Sequence, residues 1–476
     1  MCTRCVRMFR SRAPAPDAAA RPDAARPPAG PLRPYGPGDS ASLPPVTLNS
    51  PAPSRLGWLD ALRGLAALAV AMHHFGLLDK LPHGARVPQY LDLGFFGVML
   101  FFLVSGYIIP ASLERHGNVR AFWTGRIFRI HPAVIVTVVG CLLVLPRDAT
   151  SVQGFAFAHP LLSATANALM LQDLMGVPST LGVLWSLSYE MVFYYFVTAL
   201  FVLGWHRRSA PIAFGFAAVA LVLGAWLPIG AVTVDLASTR HLVVSGAVLV
   251  VTAMACLATA RPDLTRWGAL LLGGLGLALI TLNGRAAGFE TMLIFATMFA
   301  GTVLHRLEHG QIDRLPALLC CAFVIVCGVT AGYLYDHGTA LWHTWTASWA
   351  AFSTAYLAAW GVFVTGLLLR RRHVPRWLSG LGTISFSVYL LHGPLMVFLA
   401  WKLRGHPLTG WQGQTALTLG YLAALVTLGH LSHCLVELPC QALGRKAARA
   451  LDRHFPPPAQ AHADRLPAGA VPAGRT

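Results

Sequence analysis

Apolar residues run along this chain in blocks, separated by short polar stretches rich in arginine, glycine and proline. Twelve blocks stand out, at 59–78, 94–113, 127–146, 184–204, 210–229, 241–260, 267–283, 288–307, 315–335, 345–369, 381–401 and 414–436. A helix needs about 20 mostly apolar residues to cross the hydrocarbon of a bilayer, and most of the blocks meet that length. The pattern predicts an all-α, polytopic transmembrane helix bundle of about 10–12 spans, the separations near 261–290 being the weakest. The longest internal connection is 147–183. Its run from Leu161 to Leu174 contains Asn167, Gln172 and Asp173, and reads as interfacial or re-entrant rather than spanning.

Charge in the connections orients the bundle. Alternate loops carry Arg115, Arg120, Arg126 and Arg129, then Arg207 and Arg208, Arg261 and Arg266, Arg306 and Arg314, and Arg370, Arg371, Arg372 and Arg376. The intervening loops carry half as many basic residues, among them Lys80, Arg147, Arg240 and Arg285. Basic loops stay in the cytoplasm, so an even count with both termini cytoplasmic is expected. Residues 1–54, rich in Pro, Ala and Arg, read as a disordered tail, 55–440 as the transmembrane domain, and 441–476 as a second disordered basic tail.

Composition agrees with a membrane protein: 55% of the 476 residues are hydrophobic and only 12% are charged. The net charge of +17 is explained by loops and tails and calls for no nucleic acid. Of nine cysteines, six fall in apolar runs and read as small hydrophobes. Cys2 and Cys5 form an isolated C-x-x-C with no second pair, so no metal is expected. No cleavable leader precedes the first apolar run.

The informative residues are the polar ones inside the runs. Each costs at least about 2.5–3.5 kcal/mol at mid-membrane, so each is a candidate for function. Arg63 and His74 are eleven positions apart, which returns them to within about 20° of one helix face with a rise of about 16 Å. Each alone reads equally as an anchor or a core histidine; together they point to a site. Gly94, Gly97, Ser105 and Gly106 make a small-residue path on the second run, a pattern that also serves helix packing. Arg126, Arg129 and His131 sit where the third run begins, as positive-inside anchors or as a phosphate clamp level with Arg63. Glu190 opens the fourth run at a depth where it could orient His74 as a general base. His392, in the eleventh run, reads as substrate-facing or structural. Glu437 reads as an end-of-helix ion pair.

Six motifs occur in an order that resembles the membrane-bound acyltransferase 3 family. They are D-x-L-R-G…H at Asp60 to His74, GFFGVMLFFLVSGY at Gly94 to Tyr107, and R-x-x-R-I-x-P at Arg126 to Pro132. W-S-L-S-Y-E at Trp185 to Glu190, S-x-S-x-Y-L-x-H-x-P at Ser385 to Pro394 and S-x-x-L-x-E-x-P at Ser432 to Pro439 complete the set. The resemblance spans about 55–440. It departs from the family in having Met99 where an acidic residue is common, and in a span count above the usual ten.

The resemblance implies an integral-membrane O-acyltransferase of a bacterial cytoplasmic membrane. The donor would be acyl-CoA, commonly acetyl-CoA, and the acceptor a hydroxyl of a carbohydrate or lipid-linked glycan in or beside the membrane lipid. His74 would be the general base, with Arg63 and Glu190 completing the catalytic group. Arg63, Arg126, Arg129, Ser105 and Gly106 would line the donor path, and His392, Trp185 and Ser188 the acceptor side. The competing class is a secondary transporter in which the buried Arg, His and Glu relay protons.

Overall fold

The computed structural model describes residues 57–78, 84–145, 151–259, 261–336, 344–404 and 410–454; the N-terminal tail, Cys2, Cys5, Lys80 and Arg147 lie outside them. Among the described residues the protein is helical, with only an isolated bridge between Ile229 and Gly284 and no strand. Twelve long helices match the twelve apolar blocks: α1 (Gly57–His74), α2 (Leu93–His116), α3 (Val119–Val144), α4 (Trp185–Val202), α5 (Ser209–Leu223), α6 (Leu236–Ala258), α7 (Pro262–Leu282), α8 (Gly288–Glu308), α9 (Arg314–Tyr335), α10 (Trp349–Leu368), α11 (Ser385–Lys402) and α12 (Gly410–Ser432). Among the described residues nine helical segments are long and apolar enough to cross a membrane, or ten when the bent pair Arg376–Thr383 and Ser385–Lys402 is counted as one span. α1, with Asp60 and Arg63 in its first two turns, is not among them, and α5 is short.

Local signals set the boundaries. Asp92 caps α2 by accepting from the Phe95 amide at 2.7 Å, and Gly117, with φ 63°, ends it. Asn118 caps α3 by accepting from the Ala121 amide at 3.0 Å. Asp235 and Ser238 form a reciprocal capping box at α6. The connection after α3 contains the helix Pro160–Ala168, whose nine residues span only about 14 Å and do not cross a bilayer.

α8 is the centre of the bundle, buried along nearly its whole length against α2, α5 and α9. Lipid-length apolar faces remain outside on α3, α6, α9 and α12, as at Leu143, Val248, Leu318 and Leu419. Close backbone contact places the site helices. A Cβ at Gly106 would lie 1.8 Å from the Met298 carbonyl of α8, and one at Gly382 would lie 1.7 Å from the Asp60 carbonyl of α1. The second contact seats the short helix Arg376–Thr383 on α1. The chain then turns by 69° into α11, which also packs on α1.

The C-terminal region differs from the sequence expectation. Residues 441–454 are not a disordered tail: α12 continues through a π turn, His433–Glu437, into a helix α13 (Leu438–His454) packed on α3. Pro439 reads as a helix stop, but the π turn just before it provides the slack that a ring lacking an amide hydrogen needs.

Candidate active site

Five of the polar residues singled out in the sequence meet in one cavity of about 110 Å³. Arg63 from α1, Ser105 from α2, Arg126 and Arg129 from α3 and Glu190 from α4 all line it, with Phe101, Tyr194 and Tyr389. Glu190 accepts from the Tyr194 hydroxyl at 2.5 Å and from Ser105 at 3.4 Å. The guanidinium of Arg126 lies over the Phe122 and Tyr194 rings, 5.1 and 5.2 Å from their centroids. Tyr194 therefore joins the carboxylate to the arginine. It escaped the sequence reading, although its position four residues after Glu190 is the spacing that places two side chains on one helix face.

At the end of α2 and the start of α3 the cavity adjoins a wider one of about 660 Å³, and Arg126 and Arg129 line both. The wider cavity is bounded by Ser112, His116, Phe122 and the α13 residues Arg445, Arg449 and Asp452. Along α2 the order is His116 and Ser112 at the wide cavity, Ser105 in the narrow one, and Phe101 at its far side. Ser112 to Phe101 is a rise of about 16 Å.

Beyond Phe101 lies the histidine pair. Phe101 and Tyr389 meet edge to face at 5.6 Å, and Tyr389 contacts His392 at 5.7 Å between centroids. The Tyr389 hydroxyl is shared with Ser186 at 2.7 Å and with the Val183 carbonyl at 3.1 Å. His392, fully buried, is 5.0 Å from His74. The Nδ1 of His74 lies 3.0 Å from the Val70 carbonyl, and that of His392 lies 2.7 Å from the Tyr389 carbonyl. A carbonyl only accepts, so each Nδ1 carries the proton and each Nε2 keeps a free lone pair. The Nε2 of His392 is buried without a hydrogen-bond partner among the described residues.

Several assignments change. Glu190 meets Ser105 and Tyr194 rather than His74, which does not line the cavity that holds the carboxylate. His74 is the last residue of α1 rather than deep within it, and it does not line the cavity that holds Arg63. Gly106 faces Met298 and Thr302, whose hydroxyl donates to its carbonyl at 2.8 Å, so it packs α2 on α8 and does not line the donor cavity. Ser188 is buried away from both cavities. Trp185 stacks on Trp345 at 4.2 Å with Arg285 over it, outside both cavities. His131 bonds the Ala168 carbonyl at 2.9 Å and supports the connection between α3 and α4. Glu437 is buried between Ser387, whose hydroxyl donates to its carboxylate, and His433, so its pair is internal. Arg306 and Arg370, read as topology signals, are paired with Glu114 and Glu308.

Comparison with known proteins fits this arrangement. The acyltransferase 3 family, described as an acyltransferase domain, matches residues 56–429. The chain belongs to that family. Among curated relatives it is 26% identical over 398 residues to "Putative membrane-bound transacylase BcsY" of Komagataeibacter xylinus, covering 80% of this chain and 81% of that protein. It is 32% identical over 160 residues to "Putative peptidoglycan O-acetyltransferase YrhL" of Bacillus subtilis. That match covers 31% of this chain and only 24% of YrhL. A Staphylococcus aureus protein, "Putative O-acetyltransferase SACOL0978", is 30% identical over 162 residues, 30% of this chain and 24% of that protein. No solved structure matches the chain. The family and the apolar helices together make this a multi-pass membrane protein.

Proposed function

We propose that the protein is an O-acyltransferase of the bacterial cytoplasmic membrane. It moves a short acyl group, acetyl, from acyl-CoA on the cytoplasmic side to a hydroxyl of a carbohydrate or lipid-linked glycan. The observation that carries this reading is the convergence of Arg63, Arg126 and Arg129 on a narrow cavity whose far wall touches a pair of histidines with free Nε2 atoms.

The chemistry follows from the residues. Transfer from a thioester to an alcohol requires a base for the hydroxyl proton, cations for the donor's phosphates and exclusion of water. Arg63, Arg126 and Arg129 supply the cations, in the forked geometry suited to phosphate oxygens. His74 is the base, its Nδ1–H held by the Val70 carbonyl so that Nε2 takes the proton. His392 lies against it on the acceptor side. Glu190 offsets the crowded arginines and, through Tyr194, holds Arg126 in place. Ligand pockets for larger molecules run about 300–1,000 Å³, so a 110 Å³ chamber selects a short acyl group while the 660 Å³ cavity has room for a headgroup. The cationic cavities sit at the end of the bundle whose loops carry the arginine excess, which supports a cytoplasmic donor and cytoplasmic termini.

The test is transfer of labelled acetyl from acetyl-CoA by the full chain in nanodiscs, with glycan extracts as acceptor, and mass spectrometry of surface glycans after deletion of the gene. Consumption of acetyl-CoA that depends on acceptor, and loss of an acetyl increment in the deletion, are expected. A chain that ignores acetyl-CoA yet moves protons or solutes across vesicles would be a transporter.

A further inference from the structure

The wide cavity contains more positive charge than the three arginines assigned to the donor. We propose that α13 completes the donor site, with Arg445 and Arg449 binding the phosphates of the donor's nucleotide headgroup; this rests on the acyl-CoA reading above. The family match ends at residue 429, so Arg445 and Arg449 lie beyond the matched segment.

Three observations converge. First, the lining is unbalanced. Arg126, Arg129, Arg445 and Arg449 face the cavity beside His116, and its sole carboxylate among the described residues is Asp452. That carboxylate is already engaged: Arg120 pairs with it at 3.3 Å and the Asn118 amide donates to it at 3.1 Å. None of the four arginines forms an ion pair among the described residues. Cations that outnumber the carboxylates around a concave space bind a polyanion.

Second, α13 is built into the wall. Gly444 lies where a Cβ would come within 2.7 Å of Phe128, and Asp452 ties the far end to the first turn of α3. Asn118 serves twice, its Oδ1 capping α3 and its Nδ2 holding Asp452. Residues 445 and 449 are one turn apart, so their side chains leave the same face of the helix toward the cavity. The Nε of Arg449 donates to the Arg445 carbonyl at 3.2 Å, leaving its two terminal nitrogens to a ligand.

Third, the position is right for a molecule with a charged head and a thin reactive arm. Arg126 and Arg129 line both the wide cavity and the narrow one, so the same two arginines would face the head and the start of the arm.

A phosphate ligand could also come from an anionic lipid headgroup, and the experiment separates the two. The full chain is placed in neutral phosphatidylcholine nanodiscs, and binding of coenzyme A and of pantetheine, which lacks the nucleotide, is measured by calorimetry. The R445Q/R449Q pair is expected to weaken coenzyme A by tenfold or more and to leave pantetheine unchanged. The charge-preserving R445K/R449K pair, which also controls for folding, and the single variants should fall between it and the unsubstituted chain. Equal binding of coenzyme A by the unsubstituted and R445Q/R449Q chains would overturn the proposal while leaving the donor reading in place. Substitutions that abolish only a response to added phosphatidylglycerol would overturn it in favour of a lipid site. No binding of coenzyme A by the unsubstituted chain would end the donor reading and this inference with it.

Discussion

His74 at the end of α1 and His392 midway along α11 hold their rings 5.0 Å apart, each with Nδ1 on a main-chain carbonyl. The two are therefore locked in the same tautomer by separate helices. If His74 is the base, His74→Ala should lower kcat by about 10²–10⁴ without removing the protein from the membrane. His392→Ala should cost less, about tenfold, because it removes a neighbour rather than the proton acceptor. The double variant should lose little beyond His74→Ala, since groups acting as a unit are non-additive. Radiolabelled acetyl transfer with membrane quantitation by immunoblot measures all three.

Glu190 accepts from Tyr194 and Ser105, and a neutral amide oxygen can do the same. Glu190→Gln should therefore keep activity within about tenfold, whereas a loss of 10² or more would mark it as an acid or base. Glu190→Ala should be worse than Glu190→Gln because it strips Tyr194 of its partner in a buried setting. Steady-state rates of the two variants side by side decide the matter.

The connection between α3 and α4 rests on the pair of Asp173 and Arg285, 3.0 Å apart. Burial pushes the Asp173 carboxyl above its ordinary range, against the pull of Arg285 and the hydrogen bonds of Ser179 and Gln172. Its folded value thus exceeds its unfolded one. The stability it contributes is fullest below the unfolded value and is lost as pH rises through the folded value. Arg285→Ala removes the compensating cation. Breaking a buried pair costs about 3–5 kcal/mol, and since Arg285 is about a third exposed a loss of about 1–2 kcal/mol is the expectation. The loss should be larger at pH 8 than at pH 5, as read by thermal unfolding in detergent.

Tyr389 lines the arginine cavity and touches His392 with its ring. Tyr389→Phe removes a hydroxyl shared with Ser186 and Val183 and should cost about 0.5–1.5 kcal/mol of stability with activity largely kept. Tyr389→Ala opens the wall, so acetyl-CoA hydrolysis without acceptor should rise relative to transfer. Thiol release measured with and without glycan shows the ratio.

The residues that gather around the narrow cavity were recognisable in the sequence because each lies in an apolar run or where one begins. Arg63, Ser105, Arg126, Arg129 and Glu190 needed no alignment to be noticed, and the twelve apolar blocks correspond to twelve helices. Their partners were harder. Hydropathy gives depth along a helix axis but not which neighbour lies at that depth, so level alone pairs Glu190 with His74, whereas its carboxylate meets Ser105 and Tyr194. Gly106 looked like a ligand groove because small residues serve ligands and helices alike; only the 1.8 Å approach to Met298 distinguishes them. α13 was hidden by its composition. Its basic residues and Pro439 read as a tail, and its order comes from Asp452, Gly444 and the preceding π turn, all of which act through tertiary contact.

The two rings of Phe101 and Tyr389 have an electrical consequence. On the proposed topology, arginines at one mouth and imidazoles near the other would form a wet conduit through an insulating layer, across which each elementary charge is worth about 2.3 kcal/mol per 100 mV. The edge-to-face contact at 5.6 Å interrupts that conduit with hydrocarbon. A cell carrying the opened wall should therefore discharge its proton gradient through this protein even when no acceptor is present.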